Sequence, residues 1–218
     1  PMDVALSLTS VTGVQVGDLA VIQNSTAWQS EDRGTAFEGQ LARVQEIDGS
    51  DIVFDAVLTC GMPSGSSVTF FRPIKFRMRN IRFQRLKLTE SSRGVLVQYC
   101  NEPIVRDCEV MDCTRYGLHF HRNYRGGVYG GKFTGANLAV SGSLGYGILV
   151  EGCWNSEIRG IVTKECRRGV DISGYTGVPS WYCVVAESRF YGGGKAEDGS
   201  DFWPLGLGSA GAGSHGPA

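Results

Sequence analysis

Four ionisable side chains in the middle of the chain have types and spacings that suit acid–base chemistry. Glu151 and Asp171 are carboxylates, and His119 and His121 form a His-x-His pair before them. Two carboxylates that flank a glycosidic bond at about 5–9.5 Å can act as acid and base in its hydrolysis. A neighbouring histidine can take or give a proton near neutral pH. These four residues are the candidate catalytic group.

The four candidates occupy equivalent places in a repeat of the form Gly-apolar-x-apolar-x. The repeat begins at Gly94, Gly117, Gly147 and Gly169, with spacings of 23, 30 and 22 residues. Its first and third positions are always apolar, namely Val95 and Val97, Leu118 and Phe120, Ile148 and Val150, and Val170 and Ile172. Such alternation predicts strands with these side chains in a core, and a period in the low twenties is typical of a stacked solenoid.

The second and fourth repeat positions are expected to point away from that core in two columns. One column is Leu96, His119, Leu149 and Asp171, and the other is Gln98, His121, Glu151 and Ser173. Because stacked strands lie about 4.8 Å apart, Glu151 and Asp171 would share one solvated face, one coil apart. The alternative to a catalytic role is that these positions are polar only because they are exposed to solvent.

A looser strand precedes each repeat glycine, and no long segment has helical periodicity. These strands are predicted within 80–88, 103–113, 157–166 and 183–192. The pattern favours an all-β, single-stranded parallel β-helix over a leucine-rich repeat, because the LxxLxL spacing is missing. The repeat glycines are expected at corners, where they tolerate positive φ.

The chain divides into three predicted segments. Residues 1–78 form a β-rich cap with a hairpin at Asp48-Gly49, expected to cover the open end of the solenoid. Residues 79–192 form the coils, with an insertion within 125–145 that is expected to be a loop. Residues 193–218 are a Gly- and Ala-rich excursion, expected to continue beyond the chain end.

Composition argues against several classes of partner. The formal charge of −1 and pI near 6.4 give no electrostatic reason to expect nucleic acid. No apolar run is long enough to predict a membrane span. The seven cysteines include no CxxC pair, so neither a metal site nor a cofactor is predicted. Cys108, Cys113 and Cys166 are expected to be reduced and buried.

The N-terminal order of motifs resembles a known superfamily. VGDLAVIQN, then VQEIDGSDIVFDAVL, then a strand leading into RNIRF is similar to the start of pectate-lyase-like β-helix proteins. That superfamily includes bacteriophage tailspikes and tail fibres, polysaccharide lyases, polygalacturonases and alginate epimerases. The resemblance implies a right-handed parallel β-helix.

The resemblance also implies a function. It points first to a phage tail component of the virion, usually a homotrimer joined to other tail proteins, that contacts host surface polysaccharide. Alternatives are a secreted polysaccharide lyase, hydrolase or epimerase, and a purely structural virion module. The aspartate cluster of polygalacturonases and the DPHE-like motif of epimerases are absent from this sequence. Whether the protein is an enzyme therefore stays open; if it is one, it is a polysaccharide depolymerase.

Aromatic residues and an arginine near the predicted corners are candidates for glycan contact. They are Tyr124, Tyr129, Tyr146 and Arg122. Aromatic faces can stack on sugar rings, and arginine can bind acidic glycans. The same side chains could instead pack loops against the solenoid.

Overall fold

The computed structural model describes residues 4–31, 34–84, 93–113, 115–135, 145–174, 177–191 and 203–207. Within these ranges every element is a strand. The same residues contain no helix of the length and apolarity needed to cross a membrane. The predicted excursion at 193–218 lies outside the described residues except for 203–207, as does the 136–144 part of the predicted insertion.

The N-terminal segment forms one antiparallel sheet. Its strands are β1 (Ala5–Ser7), β2 (Leu19–Glu31), β3 (Gly34–Asp48), β4 (Asp51–Phe54) and β5 (Ser67–Phe71), in the order β1-β4-β3-β2-β5. The predicted hairpin is confirmed, because Asp48 pairs with Asp51 across a turn in which Gly49 has φ of 59°. Alternate side chains of β2, β3 and β4 form the core of this sheet.

The rest of the described chain forms three parallel sheets of five strands each. The first sheet contains β6 (Arg77–Arg79), β9 (Ile104–Arg106), β12 (Gly127–Tyr129), β15 (Glu157–Arg159) and β18 (Val184–Ala186). The second contains β7 (Arg82–Gln84), β10 (Glu109–Met111), β13 (Lys132–Thr134), β16 (Val162–Lys164) and β19 (Arg189–Tyr191). The third contains β8 (Arg93–Gln98), β11 (Tyr116–His121), β14 (Tyr146–Glu151), β17 (Arg168–Ser173) and β20 (Trp203–Leu207).

Each coil contributes one strand to each sheet, so the predicted all-β parallel solenoid is confirmed. The start of the predicted insertion, residues 125–135, forms β12 and β13 rather than a loop. β20 pairs with β17, so the solenoid also extends beyond residue 192, where the sequence predicted its end.

The predicted core residues lie inside the solenoid. Seven of the eight are buried in one cluster, and Val95, in the first coil, packs against it partly exposed. Parallel pairing aligns Val95, Leu118, Ile148 and Val170 in one column. Each buried aliphatic side chain contributes roughly 1.5–3 kcal/mol, so this column is a main source of stability.

The repeat glycines lie within strands, and the expectation that they form corners is wrong. None of the four has positive φ. A Cβ on Gly117 would lie 2.8 Å from the carbonyl oxygen of Gly147, and one on Gly147 would lie 2.6 Å from that of Gly169. The glycines are therefore required because successive coils approach too closely for a side chain.

The corners are formed mainly by other residues in the left-handed conformation. Equivalent corners stack, as with Asn80, Asp107, Gly130, Gly160 and Glu187 between the first two sheets, whose φ angles lie between 51° and 68°. Asparagine and aspartate tolerate this region better than most side chains do. Other side chains are held in this conformation by main-chain hydrogen bonds between coils, such as the 3.1 Å bond from Glu165 N to Tyr191 O.

Six cysteines occupy the position directly after such a corner. They are Cys100, Cys108, Cys113, Cys153, Cys166 and Cys183, and each thiol lies 3.2–3.6 Å from the carbonyl oxygen two residues before it. All seven cysteines are free, and Cys108, Cys113 and Cys166 are buried as predicted. Their small, weakly polar side chains fit the corner and satisfy its carbonyl group.

The N-terminal sheet packs along the side of the solenoid, so the prediction that it closes the open end is wrong. Leu19 and Leu41 share a core with Tyr124 and Trp154 from successive coils. The Tyr124 hydroxyl donates a hydrogen bond of 2.6 Å to Asp55. The predicted segment boundary after residue 78 falls inside β6, the first strand of the solenoid.

The stacked repeat glycines Gly94, Gly117, Gly147 and Gly169, here called the glycine column, predict a steric effect that depends on position. Gly147→Ala should lower the free energy of unfolding by about 2 kcal/mol, because the new Cβ meets main chain of the next coil. Gly61→Ala is the matched control, since no atom lies within 4 Å of its added Cβ. Urea denaturation measures both. Equal stability of the two variants would contradict the close-approach explanation.

Candidate functional site

The strand register confirms the two columns formed by the second and fourth repeat positions, here called the polar columns. Parallel pairing places His119 beside Leu149 and His121 beside Glu151, and on the next coil Leu149 lies beside Asp171 and Glu151 beside Ser173. The four candidate catalytic residues therefore lie on three adjacent strands, β11, β14 and β17, of one sheet. The sequence predicted this proximity correctly.

The face that carries these columns is buried, and the prediction of a solvated face is wrong. Asp171 is 0% exposed and Glu151 is 6% exposed, whereas Leu96 in the first coil is 44% exposed. The physical reason includes local packing: Tyr116, Tyr146 and Leu149 form a buried apolar cluster beside the candidates. Because both carboxylates are buried and both histidines are partly buried, the four residues do not form an open surface in this structure.

Both carboxylates have partners of opposite or potentially opposite charge. Glu151 Oε2 lies 3.0 Å from His119 Nε2, and Asp171 Oδ2 accepts a hydrogen bond of 2.6 Å from Arg168 Nη1. A buried carboxylate without such a partner would be strongly destabilising. The arrangement resembles a pair of buried ionic contacts more than two free carboxylates.

A run of aromatic rings connects this buried cluster to the N-terminal sheet. His119 and His121 stack with ring centroids 5.2 Å apart, and Tyr99 lies between His121 and Phe71 at 5.8 and 4.7 Å. Burial lowers the pKa of His121 to about 4, against a smaller opposing effect of the Glu151 carboxylate. His121 is therefore neutral at physiological pH.

Two of the four residues predicted to contact glycan are buried, which corrects the assignment. Tyr124 is 0% exposed and Tyr146 is 1% exposed, so neither ring presents a face to a sugar. Tyr124 instead donates a hydrogen bond to Asp55, and its burial, together with this contact, raises the pKa of its phenol. Arg122 packs on the Tyr99 ring and donates a 3.3 Å hydrogen bond to its hydroxyl.

Arg122 and Tyr129 are both only partly buried, but Tyr129 lies in a different sheet from the candidate catalytic residues. Strand pairing in the first parallel sheet aligns it with Arg79, Arg106 and Arg159 in one column, here called the arginine column. The Arg106 guanidinium lies 5.2 Å from the centre of the Tyr129 ring. Sequence spacing could have revealed this column, because each of the four residues ends the first short strand of its coil.

A cavity that the sequence did not predict lies where the β2–β3 hairpin meets the fourth and fifth coils. It measures about 290 Å³, and Trp28, Trp181 and Tyr182 line it together with Ser173. Trp28 is 56% exposed. Nothing in the alternation of β2 distinguishes Trp28 from an ordinary surface residue, so no local signal could have identified it.

No three His, Cys, Asp or Glu side chains in the described ranges are grouped so as to hold a metal ion. His119 and His121 share a strand. Among the contacts of the described residues, Glu151 is the only acidic residue within hydrogen-bonding distance of either histidine.

Structural comparison finds three phage tailspikes with the same fold. Gp49 of Pseudomonas phage LKA1 has a TM-score of 0.64 at 16% identity, covering 95% of this chain and 39% of that chain. Gp54 of Acinetobacter baumannii bacteriophage AP22, solved in complex with A. baumannii capsular saccharide, has a TM-score of 0.62 at 17% identity, covering 85% and 31%. Gp61 of Pseudomonas phage phi297 has a TM-score of 0.52 at 14% identity, covering 94% and 42%.

These similarities establish a tailspike-like β-helix fold, and at such identities they establish the fold alone. The chain spans roughly a third to two fifths of the length of each tailspike. No protein-family model and no curated protein matches the sequence.

The buried Arg168–Asp171 pair predicts a large effect on stability. Asp171→Asn should lower the free energy of unfolding by about 3 kcal/mol, because a neutral amide replaces the carboxylate that pairs with a guanidinium only 11% exposed. Glu187→Gln is the control, since it breaks an ion pair with Arg159 on the surface and should cost under about 1 kcal/mol. Similar losses in both variants, measured by urea denaturation, would contradict the burial of Asp171.

The low pKa of His121 predicts a dependence of stability on pH. The unfolded chain protonates His121 near pH 6.5 but the folded chain only near pH 4, so stability is full above 6.5 and falls between 6.5 and 4. At about pH 5 the loss should be about 2 kcal/mol relative to about pH 7.5. His121→Asn should lack this contribution in urea titrations. If the variant and the unmodified chain lost the same stability between about pH 7.5 and about pH 5, the pKa of His121 would be the same in the folded and the unfolded chain.

Proposed function

We propose that the chain is part of a bacteriophage tail protein that binds glycan on the host cell surface. The observation that carries the proposal is its fold, which it shares over most of its length with three tailspikes. One of these was solved with a capsular saccharide. The proposal includes location in the virion tail, assembly as a homotrimer and attachment to other tail proteins.

The arginine column is the proposed contact surface for the polymer. Its four members repeat at the inter-strand spacing of about 4.8 Å, which suits an extended chain better than a compact metabolite. Arg79 and Arg106 are exposed, and Tyr129 is aligned between Arg106 and Arg159. Arg159 is already paired with Glu157 and Glu187, so Arg79 and Arg106 are the cations that would bind the polymer. Guanidinium groups beside an aromatic ring favour an acidic polysaccharide, whose carboxylates pair with arginine while its sugar rings stack.

Cleavage of the polysaccharide remains part of the proposal through Glu151, Asp171, His119 and His121. In the described structure Glu151 and Asp171 are buried and paired, and both histidines are partly buried, so cleavage would require the polymer to reach these groups through a change in packing. Binding on the arginine column requires no such change. Binding is therefore the function that the geometry supports best.

A panel of purified bacterial capsular polysaccharides tests the proposal directly. The chain should bind at least one acidic capsule in biolayer interferometry, and added salt should weaken the binding because charge pairing contributes. Arg106→Ala and Tyr129→Ala should each weaken it about tenfold, as expected when a central contact is lost. Lys132→Ala is the control, because it removes an exposed cation from the neighbouring sheet of the same coil.

Two outcomes would count against the proposal. Absence of binding to every capsule tested would remove the function, and equal binding by the Arg106, Tyr129 and Lys132 variants would remove the arginine column as its surface. Release of new reducing ends or unsaturated products by the unmodified chain would add cleavage to binding.

A further inference from the structure

The cavity beside Trp28 has walls that are fixed from several directions. The hairpin is joined to the solenoid by a bridge between Ala36 and Gly177, and Phe37 N donates a 2.7 Å hydrogen bond to Gly177 O. Gly39 approaches Val178 so closely that an added Cβ would lie 2.8 Å from its side chain. The opening between hairpin and coil is therefore set by main-chain contacts.

Trp28 is directed to this cavity by an irregularity in its strand. Ala27 pairs with Phe37 and Gln29 pairs with Ala36, so Trp28 is an extra residue with no partner of its own on β3. Such a bulge reorients a side chain, and bulges are common beside binding sites. The bulge explains why a large apolar ring stands exposed at the junction.

Two further rings complete the wall. Trp181 is anchored by a 2.9 Å hydrogen bond from its Nε1 to Gly39 O, and its ring lies edge-on to Trp28 with centroids 5.9 Å apart. Tyr182 packs edge-on against Trp154 at 4.9 Å and is 65% exposed. Rigid aromatic walls at an angle bind a ring-shaped ligand with little loss of side-chain entropy.

A buried hydroxyl group without a partner lies in the same cavity. Ser173 is 3% exposed, and its Oγ forms no hydrogen bond with any described residue. Ser180 Oγ is already engaged, since it donates a 2.8 Å hydrogen bond to Ser173 O. An unsatisfied buried hydroxyl costs free energy unless a ligand or water supplies its partner, so this atom indicates where a polar group of a ligand would bind.

The cavity contains no charged side chain among the described residues that line it. An acidic sugar would lose its hydration there without gaining a cation, whereas a neutral ring with hydroxyl groups would gain both stacking and a hydrogen bond. At roughly 30 Å³ per water, 290 Å³ corresponds to about ten waters, which matches a single hexose.

We propose that this cavity is a binding site for one neutral hexopyranose unit. The ring stacks on Trp28 between Trp181 and Tyr182, and a sugar hydroxyl bonds to Ser173 Oγ. The choice of a sugar as ligand rests on the proposed function. The site is nevertheless separate from the arginine column, which recognises acidic units.

The test uses the whole chain and defined probes. The methyl glycosides of glucose, galactose, mannose and N-acetylglucosamine are compared with the methyl glycoside of glucuronic acid by saturation-transfer NMR and tryptophan fluorescence. At least one neutral glycoside should bind, and the glucuronide should not. Trp28→Ala should weaken binding about tenfold, Trp28→Phe should restore part of it, and Ser173→Ala should weaken it severalfold.

The control variant is Tyr191→Ala, which removes an exposed ring from a different sheet and should leave glycoside binding unchanged. Circular dichroism and thermal melting confirm that each variant is folded, which is expected of Trp28→Ala because the ring is largely exposed.

The outcomes separate this site from the proposed function. If capsule binds but no neutral glycoside does, or if Trp28→Ala leaves glycoside binding intact, the site is wrong while the function stands. If neutral glycosides bind through Trp28 but no capsule binds, the site stands and the function fails. If neither binds, both are wrong.

Discussion

Parallel main-chain pairing between successive coils is the constraint on which the rest of the structure depends. Each coil must return its chain to within about 4.8 Å of the coil before it, in the same register, three times per turn. The glycine column follows from this requirement, because only glycine fits where Gly117 and Gly147 face the carbonyl groups of the next coil. The left-handed corners follow as well, since corners of different shape could not stack.

The same constraint explains the cysteines. A left-handed corner leaves a carbonyl group two residues before the next inward position, and a thiol there is small enough to enter the core while still donating to that carbonyl group. Buried in this way, Cys153 has a strongly raised pKa, chiefly through desolvation. It is therefore a packing residue and not a nucleophile.

The N-terminal sheet makes the sides of the solenoid unequal. By packing on the side where Tyr124 and Trp154 stack, it buries one set of aromatic residues and places Trp28 at the margin. The polar columns are largely buried, while the arginine column on another sheet keeps Arg79 and Arg106 exposed. The molecule thus offers two kinds of surface, one cationic and one aromatic and neutral, and we propose that they bind different units of one glycan.

Local sequence pattern predicted the parts of this structure that depend on local geometry. Alternation around Gly117 and Gly147 predicted the core positions and the register that places His121 beside Glu151. Exposure was not predictable, because it depends on contacts between distant segments: Tyr124 and Asp55 are 69 residues apart. The bulge at Trp28 was hidden for a related reason, since a bulge is defined by the partner strand and not by the strand that contains it.

A crystal structure of the chain with an oligosaccharide prepared from a capsule that it binds tests both proposed binding surfaces most directly. We expect a neutral sugar ring stacked on Trp28 with a hydroxyl group within hydrogen-bonding distance of Ser173 Oγ, and acidic units along Arg79 and Arg106. An oligosaccharide bound over His119 and Glu151, with both proposed surfaces empty, would contradict these assignments.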